Sequence, residues 1–269
     1  MNDAKRSDAR RWRLGISYSV DLALPLEQVK EAGIDSIEVT WHRQNLADPE
    51  VRRLVDGKIA EARRLGIEMW SVHIPYGRAW DCSTLDETVR ERAMGNVVSV
   101  LQAAREWGVG RAVFHPSGEP VHAEDRERRL KLCYEAFRVL GQEAADRGVT
   151  LAVECLPRNC LGNSASEIAY LLSAHPSLGN CCDVNHLFKE TPDAFIRHIG
   201  SRIATLHISD NDGLDERHWT PGDGVIRWPD VLAALDQTGY EGVFMYEVRN
   251  PEPDKVAANY EQLLASLRE

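Results

Sequence analysis

Glu154, Asp183, His207 and Glu247 follow one another along the C-terminal half of the chain, each near the end of a short apolar run: TLAVECLP, NCCDVNH, IATLHISD and VFMYEVRN. Two glutamates, an aspartate and a neutral imidazole form a ligand set for one divalent ion, Mn²⁺, Mg²⁺, Co²⁺ or Zn²⁺, with at least one coordination position left for substrate. The four are too far apart for a local turn to gather them. The C-terminal mouth of a parallel barrel does gather strand ends, and catalysis in that fold class takes place there. Side chains alternate across a strand, so Ala152 and Glu154, Thr205 and His207, and Met245 and Glu247 point one way. Leu151, Val153, Leu206, Phe244 and Tyr246 point the other. A single charged residue at a strand end is usually solvated or capping; the joint pattern is what indicates a site. Further polar groups fall at or just past strand ends: His73, His115, His186 three residues after Asp183, Glu216 and His218, with Glu38 inward on the second strand-like run. Each of these histidines alone reads more readily as a packed or surface imidazole, and only their shared location argues for function.

The elements that must position these groups are legible. Strand-like runs begin at residues 13, 34, 67 and 110, and continue with the four that carry the ligands, giving eight. Between them lie stretches such as 47–65, 84–107 and 124–147, whose apolar residues recur every three or four positions. Alternating strands and helices imply right-handed βαβ units, and eight units imply an α/β fold of one closed (β/α)₈ TIM barrel. Asn163-Ser164, Thr191-Pro192 and Trp228-Pro229 mark helix starts, and the glycines of RRLG, DRG and QTG mark helix ends. No G-x-G-x-x-G follows the first strand, so nothing supports a dinucleotide site.

The 269 residues suit a single barrel domain over 13–269, preceded by a polar, basic tail over 1–12 that has no signal-peptide character. Hydrophobic content of 43% and charged content of 28% are those of a soluble protein, and no run reaches the roughly 20 apolar residues of a membrane span. Six cysteines without a C-x-x-C pair point to reduced thiols and a cytoplasmic setting. Cys155 and Cys181 lie on strands close to the ligand runs, which makes a thiolate ligand an alternative to the commoner role of small buried cysteine in the core. The net charge of −10 disfavours a nucleic-acid or anionic-membrane partner. Oligomeric state, a homo-oligomer included, is not legible.

The segments VH-x-PY (72–76), FHPSG (114–118), VE (153–154), CD-x-NH-x-F (182–188), LHISDNDG (206–213), ERHWTPGDG (216–224) and YE (246–247) resemble the xylose-isomerase-like barrel superfamily over about residues 13 to 250. That superfamily contains sugar isomerases and epimerases and also the endonuclease IV branch of abasic-site repair. The resemblance implies that Glu154, Asp183, His207 and Glu247 hold a divalent ion, that Glu154 and Glu247 act as an acid and base pair, and that His186 touches substrate oxygens. In the repair branch, the positions of His73, His115, His186, Glu216 and His218 complete a three-zinc cluster. The chain departs from that branch at Glu216, where the repair enzymes carry Asp, and after His73, where GRAWDCS replaces an Asn-Leu-Ala run.

The chemistry implied is proton abstraction next to a metal-bound carbonyl of a ketose or keto-polyol, through an enediolate. Return of the proton to the opposite face gives an epimerase, transfer to the neighbouring carbon an isomerase, and loss of a β-hydroxyl a dehydratase or lyase. The acidic loop DNDGLDE (210–216) disfavours a phosphate where barrels often bind one. An unphosphorylated sugar or cyclic polyol is therefore expected, with His73, His115, His186, His218, Arg158 and Arg217 as substrate contacts, Glu216 and His218 as candidates for additional metal ligands, and Trp41, Trp80 and Trp219 as candidate walls.

Overall fold

Each of the eight expected runs forms a strand. In the computed structural model, which describes residues 11–41 and 45–267, these are β1 (Arg13–Ser19), β2 (Ser36–Thr40), β3 (Glu68–His73), β4 (Arg111–Phe114), β5 (Thr150–Glu154), β6 (Gly179–Asp183), β7 (Ile203–His207) and β8 (Val243–Tyr246). Helices α1 (Leu26–Glu31), α2 (Pro49–Arg64), α3 (Glu87–Glu106), α4 (Arg126–Ala145), α5 (Ala165–Leu172), α6 (Pro192–Ile199), α7 (Trp228–Gln237) and α8 (Pro253–Ala265) follow the strands in turn. The sheet runs β7-β6-β5-β4-β3-β2-β1-β8, with every ladder parallel. Beyond β7 the chain closes the ring: Ile208 N–H donates to Met245 O at 2.8 Å and Glu247 N–H to Ile208 O at 3.0 Å. The architecture is a (β/α)₈ TIM barrel.

Local sequence explains the elements. The buried residues of α2, Val55, Ile59 and Ala62, fall on one helical stripe. Asp48 caps α2 by accepting from Glu50 N–H, Asp86 caps α3 through Val89 N–H, and Ser164 caps α5 through Glu167 N–H. Gly66 and Gly148 end α2 and α4 with φ of 68° at both positions, a left-handed conformation that costs glycine little. The next residue's N–H then reaches back to Ala62 O at 2.9 Å or to Ala144 O at 3.0 Å, turning the chain into a strand.

Two layers of apolar side chains result. The larger lies between sheet and helices; the smaller fills the barrel itself, where Trp70, Val243 and Met245 pack together and Val113, Ala152 and Cys181 form a second group. Trp70 Nε1 donates to Thr205 Oγ1 at 3.0 Å across the interior, and the Arg111 guanidinium lies 3.5 Å from the Trp70 ring centroid. Gly15 leaves room for this filling, since a Cβ there would stand 2.5 Å from Val243 Cγ1. The barrel is thus a plugged cup, open at its C-terminal mouth. Residues 1–10 of the expected tail lie outside the described residues, and Trp12 departs from the tail reading. Its ring is buried, stacks on Phe244 at 5.8 Å and donates to Tyr240 O at 2.7 Å, because an indole with an apolar shelf and a carbonyl within reach has no reason to remain in solvent. No helix among the described residues is long and apolar enough to cross a membrane.

Candidate active site

Glu154, Asp183 and His207 are the last residues of β5, β6 and β7, and Glu247 directly follows β8. All four lean into the mouth, where one donor atom from each lies within 4.8 Å of the others. His207 Nδ1 sits 3.4 Å from Glu154 Oε1, 3.3 Å from Glu247 Oε2 and 3.9 Å from Asp183 Oδ2. Glu154, Asp183 and His207 are essentially inaccessible to solvent. Asp183 Oδ2 is buried and accepts no well-aligned hydrogen bond, although His186 Nδ1 lies 3.1 Å away. Three carboxylates around an imidazole nitrogen, one of them with an unused oxygen, fit a divalent cation with hard oxygen and borderline nitrogen ligands.

The second tier surrounds this floor. His73 Nε2 and His115 Nε2 approach Glu154 Oε2 at 3.2 and 3.0 Å, so Glu154 faces two clusters with its two oxygens. His186 Nε2 lies 2.7 Å from Glu216 Oε2, and His218 completes that group within the same 4.8 Å limit. The histidines are oriented from behind. His73 Nδ1 is 2.9 Å from Ile74 O, His186 Nδ1 is 3.0 Å from Cys155 O, and His218 Nδ1 is 3.0 Å from Glu247 O. A carbonyl only accepts, so each Nδ1 carries a proton and each Nε2 turns toward the mouth.

Charge follows from burial and neighbours. Burial raises Glu154, but His115 and His207 outweigh it and hold the carboxyl well below the usual range. Burial lifts Asp183 to about 7, opposed by His186 and assisted by Glu247 and Glu154. Burial disfavours charge on His186 and His73, yet Asp183 and Glu216 bring His186 up to about 10, and Glu154 and Glu38 bring His73 up to about 9. The cluster therefore holds protons that a cation would displace.

The loop after β7 presents Glu216 and His218 by wrapping a carboxylate. Asp210 is buried and accepts from Gly222 N–H at 2.8 Å, Ile226 N–H at 3.1 Å and Trp228 Nε1 at 2.9 Å. A Cβ at Gly224 would fall 2.3 Å from Asp210 Oδ1 and 2.1 Å from Asn211 O, so the P-G-D-G turn needs glycine there to close on Asp210. His218 takes φ of 52°, held by its bond to Glu247 O and by Arg249 N–H donating to His218 O at 3.0 Å. Strain of this kind concentrates at functional sites.

Above the floor opens a cavity of about 520 Å³, lined among others by His73, His115, Glu154, His186, Glu216 and Glu247, a size suited to a small molecule. Arg158 lines it too, bridging the loops by donating to Glu119 Oε1 at 2.8 Å, Asp215 Oδ1 at 2.7 Å and Glu216 Oε1 at 3.0 Å. Arg217 does not line it: its Nε pairs with Asp212 Oδ2 at 2.6 Å. Two of the expected walls are core residues. Trp41 is fully buried edge-on to Trp107 at 6.0 Å, and Trp80 is also buried; Trp219 is 40% exposed and does not line the cavity. Tyr76 takes the part of a wall, stacked on His115 at 4.9 Å. Sequence reasoning passed over Tyr76 and Asp210 as individuals, although both stand inside the motifs VH-x-PY and LHISDNDG. Cys155 gives its thiol to the backbone of Asp183 at 3.3 Å, while Cys181 Sγ comes within 4.8 Å of donor atoms of Glu154 and His207.

A family model described as a xylose isomerase-like TIM barrel matches residues 26–269. The chain belongs to this family. The chain is 23% identical over 241 residues to a fructoselysine 3-epimerase of Escherichia coli O157:H7, covering 84% of this chain and 86% of the relative. It is 26% identical over 204 residues to an inosose dehydratase of Erwinia tasmaniensis, covering 65% and 66%. A crystal structure of a D-tagatose 3-epimerase-like protein superimposes with a TM-score of 0.78 at 21% identity, covering 94% of this chain and 96% of that one. That last likeness is one of fold. The xylose isomerase-like barrel here thus carries its polar constellation where barrels of this architecture do their chemistry.

Proposed function

We propose that this barrel is a divalent-metal-dependent isomerase or epimerase of an unphosphorylated ketose or keto-polyol. The observation that carries the reading is the buried Glu154, Asp183, His207 and Glu247 set at the floor of a cavity of about 520 Å³. An ion held by these residues would supply Lewis-acid stabilisation of negative charge developing on the substrate carbonyl. Glu154 and Glu247 face the same space from β5 and from the end of β8. One removes the proton beside the carbonyl and the other returns it, which inverts the centre if they act on opposite faces. His186 and His73 present Nε2 to the mouth and donate to substrate oxygens, while Tyr76 and the Arg158 bridge bound the space in which the sugar sits. The 3-epimerase relative supports this class, and the dehydratase relative supports the same first step followed by loss of a β-hydroxyl.

A second reading, a zinc phosphodiesterase acting at abasic DNA, is favoured by one observation. The groups His73–His115–Glu154, Glu154–Asp183–His207–Glu247 and His186–Glu216–His218 each satisfy the same ligand distance. Against it stand Glu119, Asp212, Asp215 and Glu216 around the mouth and the net charge of −10, which repel a phosphate backbone. Elemental analysis after reconstitution, paired with incubation on duplex DNA carrying an abasic site, decides between them. One ion per chain and intact DNA support the sugar enzyme; three zinc ions and metal-dependent strand cleavage overturn it.

A further inference from the structure

Behind His207 the barrel buries a carboxylate that the four-residue ligand set does not include. Glu38 on β2 is inaccessible to solvent, and its Oε1 lies 2.8 Å from His207 Nε2. Ser71 Oγ donates to the other oxygen at 2.6 Å, a contact made possible by the register shift after Ile37 that sets Glu38 beside Ser71. Among the mouth histidines, His207 is turned the other way round. His73, His186 and His218 rest Nδ1 on backbone carbonyls, with His186 Nδ1 also 3.1 Å from Asp183 Oδ2, whereas His207 directs Nδ1 at Glu154, Asp183 and Glu247 and alone gives Nε2 to Glu38.

A carbonyl suffices to fix a tautomer, and burying a charge is costly unless it is matched. Glu38 also lies within 4.8 Å of donor atoms of His73 and Glu247, so its charge is matched by the imidazoles of the mouth. A carboxylate facing Nε2 instead does two things. It requires a proton on Nε2, leaving the Nδ1 lone pair free, and it makes the imidazole a stronger donor at Nδ1.

We propose that Glu38, anchored by Ser71, is a positioning residue that holds His207 as its Nε2–H tautomer and aims Nδ1 at a cation among Glu154, Asp183 and Glu247. The proposal rests on the metal-dependent reading above.

The test is Zn²⁺ titration by chelator competition into metal-stripped wild type, Glu38→Gln, Glu38→Leu and Ser71→Ala, with ¹⁵N-histidine NMR of the zinc-loaded wild type. Glu38→Gln should weaken zinc binding about 10- to 100-fold, in line with other partners that stand behind a metal ligand, and Ser71→Ala should weaken it less. The NMR should show His207 protonated at Nε2 and ligating through Nδ1. Metal-stripped Glu38→Gln should keep a cooperative thermal transition, which separates positioning from folding; if Glu38→Leu does not fold, the other two variants carry the test. A folded Glu38→Gln that binds zinc within twofold of wild type, or ligation through Nε2, overturns the role of Glu38 alone. A wild type that binds no ion overturns the metal-dependent reading and this inference with it.

Discussion

Glu154→Gln is the most revealing single change, because both oxygens of that side chain are in use and the residue is 1% exposed. Oε1 faces His207 at 3.4 Å and His186 at 3.5 Å, and Oε2 faces His115 at 3.0 Å and His73 at 3.2 Å. The amide is nearly isosteric, so the barrel should fold. It removes a full negative charge, since His115 and His207 overcome burial to keep the carboxyl ionised. A unit charge pair about 4 Å apart at an effective dielectric of about 20 is worth about 4 kcal/mol, hence about 8 kcal/mol for a dication. The remaining amide oxygen and the lower desolvation cost offset most of that. A net loss of at least about 2.7 kcal/mol, or a hundredfold in Mn²⁺ affinity, is the expected outcome. Loss of its proposed proton-transfer role should lower turnover by a further ~10²- to 10⁴-fold. Glu247, with 22% of its side chain exposed, should show a smaller affinity loss in Glu247→Gln and a similar loss of turnover. Mn²⁺ binding is measured by calorimetry. Chemistry is followed by NMR as deuterium washes from ²H₂O into an active ketose or keto-polyol at the carbon beside the carbonyl. A folded Glu154→Gln that binds Mn²⁺ within threefold of wild type and turns substrate over at the wild-type rate would refute the reasoning.

Two further outcomes are expected. Asp183, raised by burial to about 7, carries a proton in the metal-free protein on the acidic side of that value. Its raised carboxyl adds stability below the unfolded value near 4, and that contribution is lost as pH rises through about 7. Metal binding displaces the proton, so affinity should increase with pH across this range, and thermal shifts on adding Mn²⁺ should be larger at pH 8 than at pH 6. Away from the site, Arg129 donates to Asp81 Oδ2 at 2.7 Å with both side chains about 10% exposed, tying α4 to the loop after β3. Arg129→Met should cost about 3–5 kcal/mol in urea unfolding by stranding Asp81, and Asp81→Asn in the same chain should recover part of it.

Much of the site was legible because period-two alternation and strand order are local properties. The rule that sends Glu154 and His207 inward needs only the letters beside them, and a barrel's mouth does the gathering. The same rule, carried from Glu38 two steps beyond Val39, would have sent Trp41 outward to Trp107, so its place in the core was recoverable. Trp80 and Arg217 were not, since Trp80 stands in a single 3₁₀ turn and Arg217 in a loop, where no period fixes direction and, for Arg217, the nearest counter-charge, Asp212, decides. The Glu38–His207 bond spans 169 residues and joins β2 to β7 across the interior. Both ends were assignable to the inner face, but which inward groups meet depends on stagger around the ring and on the irregularity after Ile37.

The ring is lightly stitched between β7 and β8. Between β7 and β8 there is no continuous ladder, only the two backbone bonds of Ile208 with Met245 and Glu247. His207 ends one lip of that joint and Glu247 stands on the other. A cation gripped by both would work as a clasp across that joint. Occupancy and closure would then be linked events: loss of the ion would loosen the wall as well as the chemistry, and amide exchange at Ile208 and Glu247 would report on both.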